Sequence, residues 1–275
     1  MIYLTEKEFI SKKRLEHLEH AKNVWNIDIE KIKQLEKKYG HIQYLPIDAD
    51  IENVPNELID FFFTNSKFAR SNHKNYDNLW KGLFKENKLD LNTNESIKNK
   101  NESLFDLEEM FRDFFNQLLD ALPYKKLESY SFISNQRDVN SHKDYCYMIG
   151  LPISFRCVIY NNGSSFTNSF YDYIPTGEGK NFKNLEEATT EHWNDGYTGK
   201  MVSHYTNISR FYAYNNLTVK HDAKKYDNQE KILFIPKVYN PIDWDKFDDM
   251  ISKSIAKNSN SAMITDNPLE TYVNL

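Results

Sequence analysis

Cysteine is scarce in this chain of 275 residues, and the two present, Cys146 and Cys157, support neither a disulfide framework nor a thiolate zinc site. A reducing compartment is the simpler expectation. Glycine and proline number only 8 each, too few for a repetitive or disordered chain. No apolar run approaches the ~20 residues that span a bilayer, and the charged start "MIYLTEKEFISKKRLEHLEH" has no signal-peptide core. The expected location is cytoplasmic, with no membrane partner. The five Asn-x-Ser/Thr triplets, at Asn94, Asn101, Asn162, Asn207 and Asn216, are read as products of an Asn-rich composition. There is also no excess of positive charge. The formal net charge is -5, which argues against nucleic acid as a partner.

Aromatic residues are abundant, with 18 Tyr and 18 Phe making up most of a 15% aromatic content, and this favours a β-rich core. The first 125 residues read mostly as helix and loop. "EFISKKRLEHLEHAKNVW" and "DIEKIKQLEKKYG" space apolar positions by three and four, and Gly40 stands where a helix would end. "VPNELIDFFF" predicts a short helix. "SLFDLEEMFRDFFNQLLDALP" predicts a longer one, with Leu104, Leu107, Met110, Phe111, Phe114, Leu118 and Leu119 as its buried stripe. Between these, residues 85–103 are polar and without period, an expected exposed loop.

From Leu127 the texture changes to short β-branched and aromatic runs: "LESYSFISNQ", "YCYMIGLPI", "SFRCVIYNN", "SSFTNSFYDYI", "NISRFYAYNN" and "EKILFIPKVY". These predict the strands of a sandwich or barrel. The polar excursion at 176–200 has the composition of a lid or binding loop. "PIDWDKFDDMISKSIAKN" predicts a C-terminal helix opened by Pro241. The domain reading is therefore a mainly helical region at 1–125, a β-rich core at 126–240, and a helix and tail at 241–275.

Within the β-rich part, "NSHKDYCYMIG" places His142 and Asp144 two residues apart, so in an extended chain both occupy one face. One imidazole and one carboxylate can then reach a single metal ion, or the pair can be ordinary polar residues at a strand end. Of the downstream histidines, His192 and His204 lie in or beside the polar excursion, whereas His221 follows "RFYAYNNLTVK" and precedes another strand-like run. Taken alone, His221 is as readily a solvated turn residue.

With "KHDAKKYDNQEKILF" added, the pattern resembles the 2-oxoglutarate and Fe(II)-dependent dioxygenases, whose core is a double-stranded β-helix, or jelly roll. The resemblance covers about residues 127–240. It implies an α+β fold, with that core flanked by helices from the N-terminal region and a C-terminal helix. It also implies Fe(II) held by His142, Asp144 and His221, and 2-oxoglutarate anchored by Lys231 in a position where the family more often has Arg. A lysine there is otherwise a strand-edge charge. The implied reaction is hydroxylation of an unactivated C–H bond on an amino acid, a peptide side chain or a small metabolite.

Arg156 lies within "ISFRCVIYN", on the face shared by Ser154 and Val158. It is a candidate for a co-substrate or substrate carboxylate, or an outward edge residue. Tyr147, Tyr212 and Tyr214 are candidates to line the pocket and reach 2-oxoglutarate, although most tyrosines in so aromatic a chain must be packing. The rival readings are a cupin-like metal enzyme that does not use 2-oxoglutarate and a non-catalytic binding or structural module. A phosphohydrolase built on His221 and Asp222 fits poorly, because such ligands sit on helices and this stretch reads as strand and turn.

Overall fold

A computed structural model describes residues 6–49, 51, 54–65, 67–70, 79–85, 107–127, 129–135, 139–142, 153–161, 168–175, 199–206, 210–215, 217, 219–223, 231–236, 241–258 and 263–265. It opens with helices α1 (Glu6–Trp25) and α2 (Ile29–Tyr39). The Asp28 carboxylate caps α2 by accepting from the amides of Glu30 and Lys31, at 3.0 and 3.3 Å. Gly40 ends it at φ 81° and ψ -171°, a region that side chains other than hydrogen all but exclude, while its N–H donates to Glu36 O at 2.8 Å. That turn aims the chain into strand β1 (His41–Ile47). Then come α3 (Asn56–Asn65), β2 (Lys67–Arg70), β3 (Leu79–Lys85), α4 (Leu107–Met110) and α5 (Arg112–Ala121). Strands β4 (Tyr130–Asn135), β5 (Val139–His142), β6 (Ile153–Asn161), β7 (Asn168–Pro175), β8 (Gly199–Thr206), β9 (Phe211–Asn215), β10 (Lys220–Ala223) and β11 (Lys231–Pro236) follow. Helix α6 (Trp244–Lys257) and strand β12 (Met263–Thr265) complete the described chain.

All pairings are antiparallel. One sheet runs β12-β1-β9-β6-β11-β4-β3-β2 and the other runs β5-β10-β7-β8. Period-2 alternation divides the larger sheet into two faces. Phe155, Cys157 and Ile159 of β6, Phe211 and Ala213 of β9, Ile232 and Phe234 of β11, and Tyr130 and Phe132 of β4 point to one side. There they meet Phe62 of α3, Phe114 and Leu118 of α5, and Phe247 and Ile251 of α6 in a single apolar core. The other face carries Tyr44, Val158, Tyr212, Tyr214 and Leu233, which cluster separately with Val219. Both faces of β6 and β9 are thus covered, which is why "SFRCVI" and "FYAYN" are buried almost throughout.

Helices α1, α2, α3 and α6 and strands β4, β6, β7, β9 and β11 lie where the sequence predicts them. Three findings differ. First, β1, β2 and β3, from the region read as helix and loop, join the larger sheet. Second, the long apolar helix is bent at Phe111, whose φ of -121° and ψ of 39° turn it inward, while Phe111 N–H still donates to Leu107 O and Phe115 N–H to Phe111 O. Met110, assigned to the buried stripe, is 59% exposed as a result. Third, His204 falls within β8, opposite Tyr171 of β7. Cys146, the five Asn-x-Ser/Thr asparagines, His192, the strand expected at 145–152 and nearly all of the loops at 85–103 and 176–200 lie outside the described residues. No described helix is long and apolar enough to cross a membrane.

Candidate functional site between the sheets

Strand β10 is the bridge between the two halves of the sequence motif. It pairs with β5 so that His221 stands directly opposite His142, and with β7 so that His221 stands opposite Phe170. Directly opposed residues of an antiparallel pair share a face, with Cα atoms about 4.5–5.5 Å apart. Seventy-nine positions apart in sequence (221 - 142), the two histidines are therefore neighbours in the smaller sheet. Asp144 and Tyr147 lie outside the described residues, and of His142 only the strand position is described. Among the described residues there is no cluster of three His, Cys, Asp or Glu side chains.

His221 is buried, and its ring packs on Tyr214 of the larger sheet with centroids 4.6 Å apart. Its Nδ1 lies 3.4 Å from Val219 O, and its Nε2 lies 3.3 Å from Tyr214 Oη. Arg156 Nη2 in turn donates to Tyr214 Oη at 3.1 Å, Nη1 donates to Phe155 O at 3.0 Å, and the guanidinium lies 5.4 Å from the Tyr214 ring centroid. A guanidinium only donates, so Tyr214 Oη accepts from Arg156. His221 Nε2 stands on the side of β10 that faces the larger sheet.

The tyrosines missing from the helix-side core line this same space. Tyr212 and Tyr214 stack at 6.3 Å, and Tyr44 stands 6.4 Å from Tyr212. Burial, followed by the neighbouring Tyr212, pushes the Tyr44 phenol well above its usual range, so it stays neutral. Ser154, the cross-strand partner of Tyr214, is fully buried, and its hydroxyl has no hydrogen-bond partner among the described residues. Strand alternation around Arg156 made these inner positions findable. Ser154 itself gave no signal, because a serine in a strand is ordinarily packing.

Lys231 opens β11 opposite Asn161, at the far end of β6 from Ser154. Five residues of β6 separate Asn161 from Arg156 (161 - 156), about 15 Å of strand at the usual rise. Arg156, Tyr212, Tyr214 and His221 thus gather at one end of the space between the sheets, and Lys231 stands toward the other.

No protein-family model and no curated protein matches this sequence. Among solved structures, the chain is similar to the non-haem α-ketoglutarate-dependent carbocyclase SnoK from nogalamycin biosynthesis, at 10% identity and a TM-score of 0.31, over 78% of this chain and 84% of that one. A second similarity is to the epimerase SnoN of the same biosynthesis, also described as non-haem and α-ketoglutarate-dependent, at 9% identity and TM-score 0.34, over 76% and 82%. A third is to an oxidoreductase of the 2OG-Fe(II) oxygenase family from Burkholderia pseudomallei, at 12% identity and TM-score 0.33, over 75% and 88%.

Proposed function

We propose that the chain is a non-haem Fe(II) and 2-oxoglutarate-dependent dioxygenase on a double-stranded β-helix formed by β4 to β11. The observation that carries this reading is the register of His142 opposite His221. The strand order supports the fold. From β4 to β11 the chain changes sheet at every connection except the paired strands β7 and β8, as the two interlocked Greek keys of a jelly roll require.

The donor set suits the metal. His142, Asp144 and His221 would supply two imidazoles and one carboxylate, the donor set that suits non-haem Fe(II). His221 would ligate through Nε2, exchanging its contact with Tyr214 Oη for the metal, while Nδ1 stays 3.4 Å from a backbone carbonyl. Bound iron with 2-oxoglutarate and O2 supplies oxidative decarboxylation to succinate and CO2, coupled to hydroxylation of an unactivated C–H bond. The chain's own residues do the positioning. Val219 O stands within reach of His221 Nδ1, Lys231 offers a point charge to the far carboxylate of 2-oxoglutarate, and the apolar side chains of Val158 and Leu233 keep water from the reacting centre. Of the other two co-substrate candidates, Tyr147 lies outside the described residues and Arg156 sits away from Lys231 along the inner face. The substrate class in this reading is an amino acid, a peptide side chain or a small metabolite.

Anaerobic titration with Fe(II), with and without 2-oxoglutarate, tests the proposal. The ternary complex is expected to give a weak visible charge-transfer band that His142→Ala and His221→Ala abolish. Metal uptake with no band points instead to a cupin-like enzyme that does not use 2-oxoglutarate. No uptake at all leaves a binding or structural module.

A further inference from the structure

The inner face of β6 and β9 carries a second polar centre beside His221. Ser154 and Arg156 are two residues apart on β6 and so share a face. Tyr214 is paired opposite Ser154 and Tyr212 opposite Arg156. The Arg156 guanidinium is buried, and its bonds to Phe155 O and Tyr214 Oη draw it back toward the Ser154 end of the strand. The Ser154 hydroxyl, on the same face two positions along β6, is completely buried and without a hydrogen-bond partner among the described residues. A buried hydroxyl left unmatched is destabilising, and an acceptor arriving from outside the chain would match it.

Guanidinium, serine hydroxyl and tyrosine hydroxyl together make a donor set for a carboxylate. Geometry separates it from Lys231. The two basic residues are offset by about 15 Å of strand, and Arg156 reaches away from Lys231. In the oxygenase reading, Lys231 and not Arg156 takes the far carboxylate of 2-oxoglutarate. We infer that Ser154, Arg156 and Tyr214 bind a second carboxylate, one carried by the substrate. Its body is apolar or aromatic, because Tyr44, Tyr212, Val158 and Leu233 form the surrounding wall. The substrate part of the inference rests on the oxygenase reading, whereas the carboxylate subsite stands on its own geometry.

The test is calorimetric titration of the full chain, in EDTA, with 3-phenylpropanoate and its uncharged amide. Wild type is expected to bind the acid at least ten-fold more tightly than the amide. Arg156→Met should remove that preference, Ser154→Ala should weaken the acid about three-fold without loss of thermal stability, and Lys231→Met should leave it unchanged. Because Ser154→Ala deletes only an unmatched hydroxyl, it decides the matter even if Arg156→Met fails to fold. Equal binding of acid and amide, no saturable binding of either, or an acid affinity unmoved by Ser154→Ala and Arg156→Met overturns the subsite. In a parallel arm, Mn(II)-loaded protein is titrated with 2-oxoglutarate. Retained affinity in Arg156→Met and lost affinity in Lys231→Met support separate carboxylates, while the reverse assigns Arg156 to the co-substrate and overturns the substrate inference. An Arg156-dependent acid site in a protein that never shows the Fe(II) charge-transfer band would sink the oxygenase reading and leave the subsite standing.

Discussion

Glu36 shows how a single side chain ties separate elements together. It bonds Arg14 of α1 and lies 3.5 Å from His41 Nδ1 at the start of β1, so three elements meet at one carboxylate. Burial alone would raise its pKa, but the hydrogen bond with His41 and the charge and hydrogen bond of Arg14 outweigh burial and hold it below the usual carboxylate range. A depressed folded pKa stabilises the fold at pH values above the unfolded pKa, and that contribution fades as pH falls through the folded one. Urea unfolding across the acid range should therefore show a fall in stability that Glu36→Gln flattens. Identical acid limbs for wild type and variant would remove Glu36 from this role. Residues of this kind were hardly legible in the sequence, where Arg14, Glu36 and His41 are three unremarkable charged positions. His221 was legible because "YNNLTVKH" supplied strand context on one side and "EKILF" on the other.

At the scale of elements, β11 is the most constrained strand, with β6 on one side and β4 on the other. Phe234 is fully buried at its centre, with Tyr130 and Phe132 rings 5.6 and 5.3 Å away. Truncation there opens a cavity that the two aromatic neighbours are too rigidly packed to close. Phe234→Ala should cost about 3–5 kcal/mol by chemical denaturation, and a loss under 1 kcal/mol would show that the site collapses. Element type was readable where one period dominated, as in α2 and β9. It failed in β1, "HIQYLPI", where all but the first residue are buried and neither period shows. It failed also in β3, which pairs with the short β2 before it and with β4, a strand that begins 45 residues after β3 ends (130 - 85) and that nothing local announces. The bend at Phe111 belongs to the same class: "LEEMFRDFF" reads as one stripe, but tertiary packing rotates Phe111 inward and Met110 out.

For the whole molecule, helices cover one face of the larger sheet and leave the other to the smaller sheet and the candidate site. The helix-side core and the candidate site thus draw on opposite faces of the same strands, and alternate residues of β6 and β9 belong to each. The ends of the chain are stitched together as well. β12 pairs with β1, Lys257 bonds Asp48, and Lys38 reaches Asp248 at 2.6 Å. Near the middle, an isolated bridge between Tyr124 and Ile242 fastens the segment after α5 to the start of α6.

The back-and-forth path between the sheets has a kinetic side. Among the described strands, only β2 with β3 and β7 with β8 are hairpin-like partners, and every other described pairing closes a longer stretch of chain. His142 and His221 meet only after four intervening strands have been laid into two sheets. Chain-closure entropy must be met before such distant pairings repay it, which slows the search for the native topology. Refolding from urea is expected on the millisecond-to-second scale or slower. The Tyr214 and His221 ring contact should form in the last phase, and submillisecond recovery of native tyrosine fluorescence would contradict that order. A nascent chain released before β10 has emerged would carry an exposed β5 edge, so the strand that brings the second histidine also seals the edge most open to wrong partners.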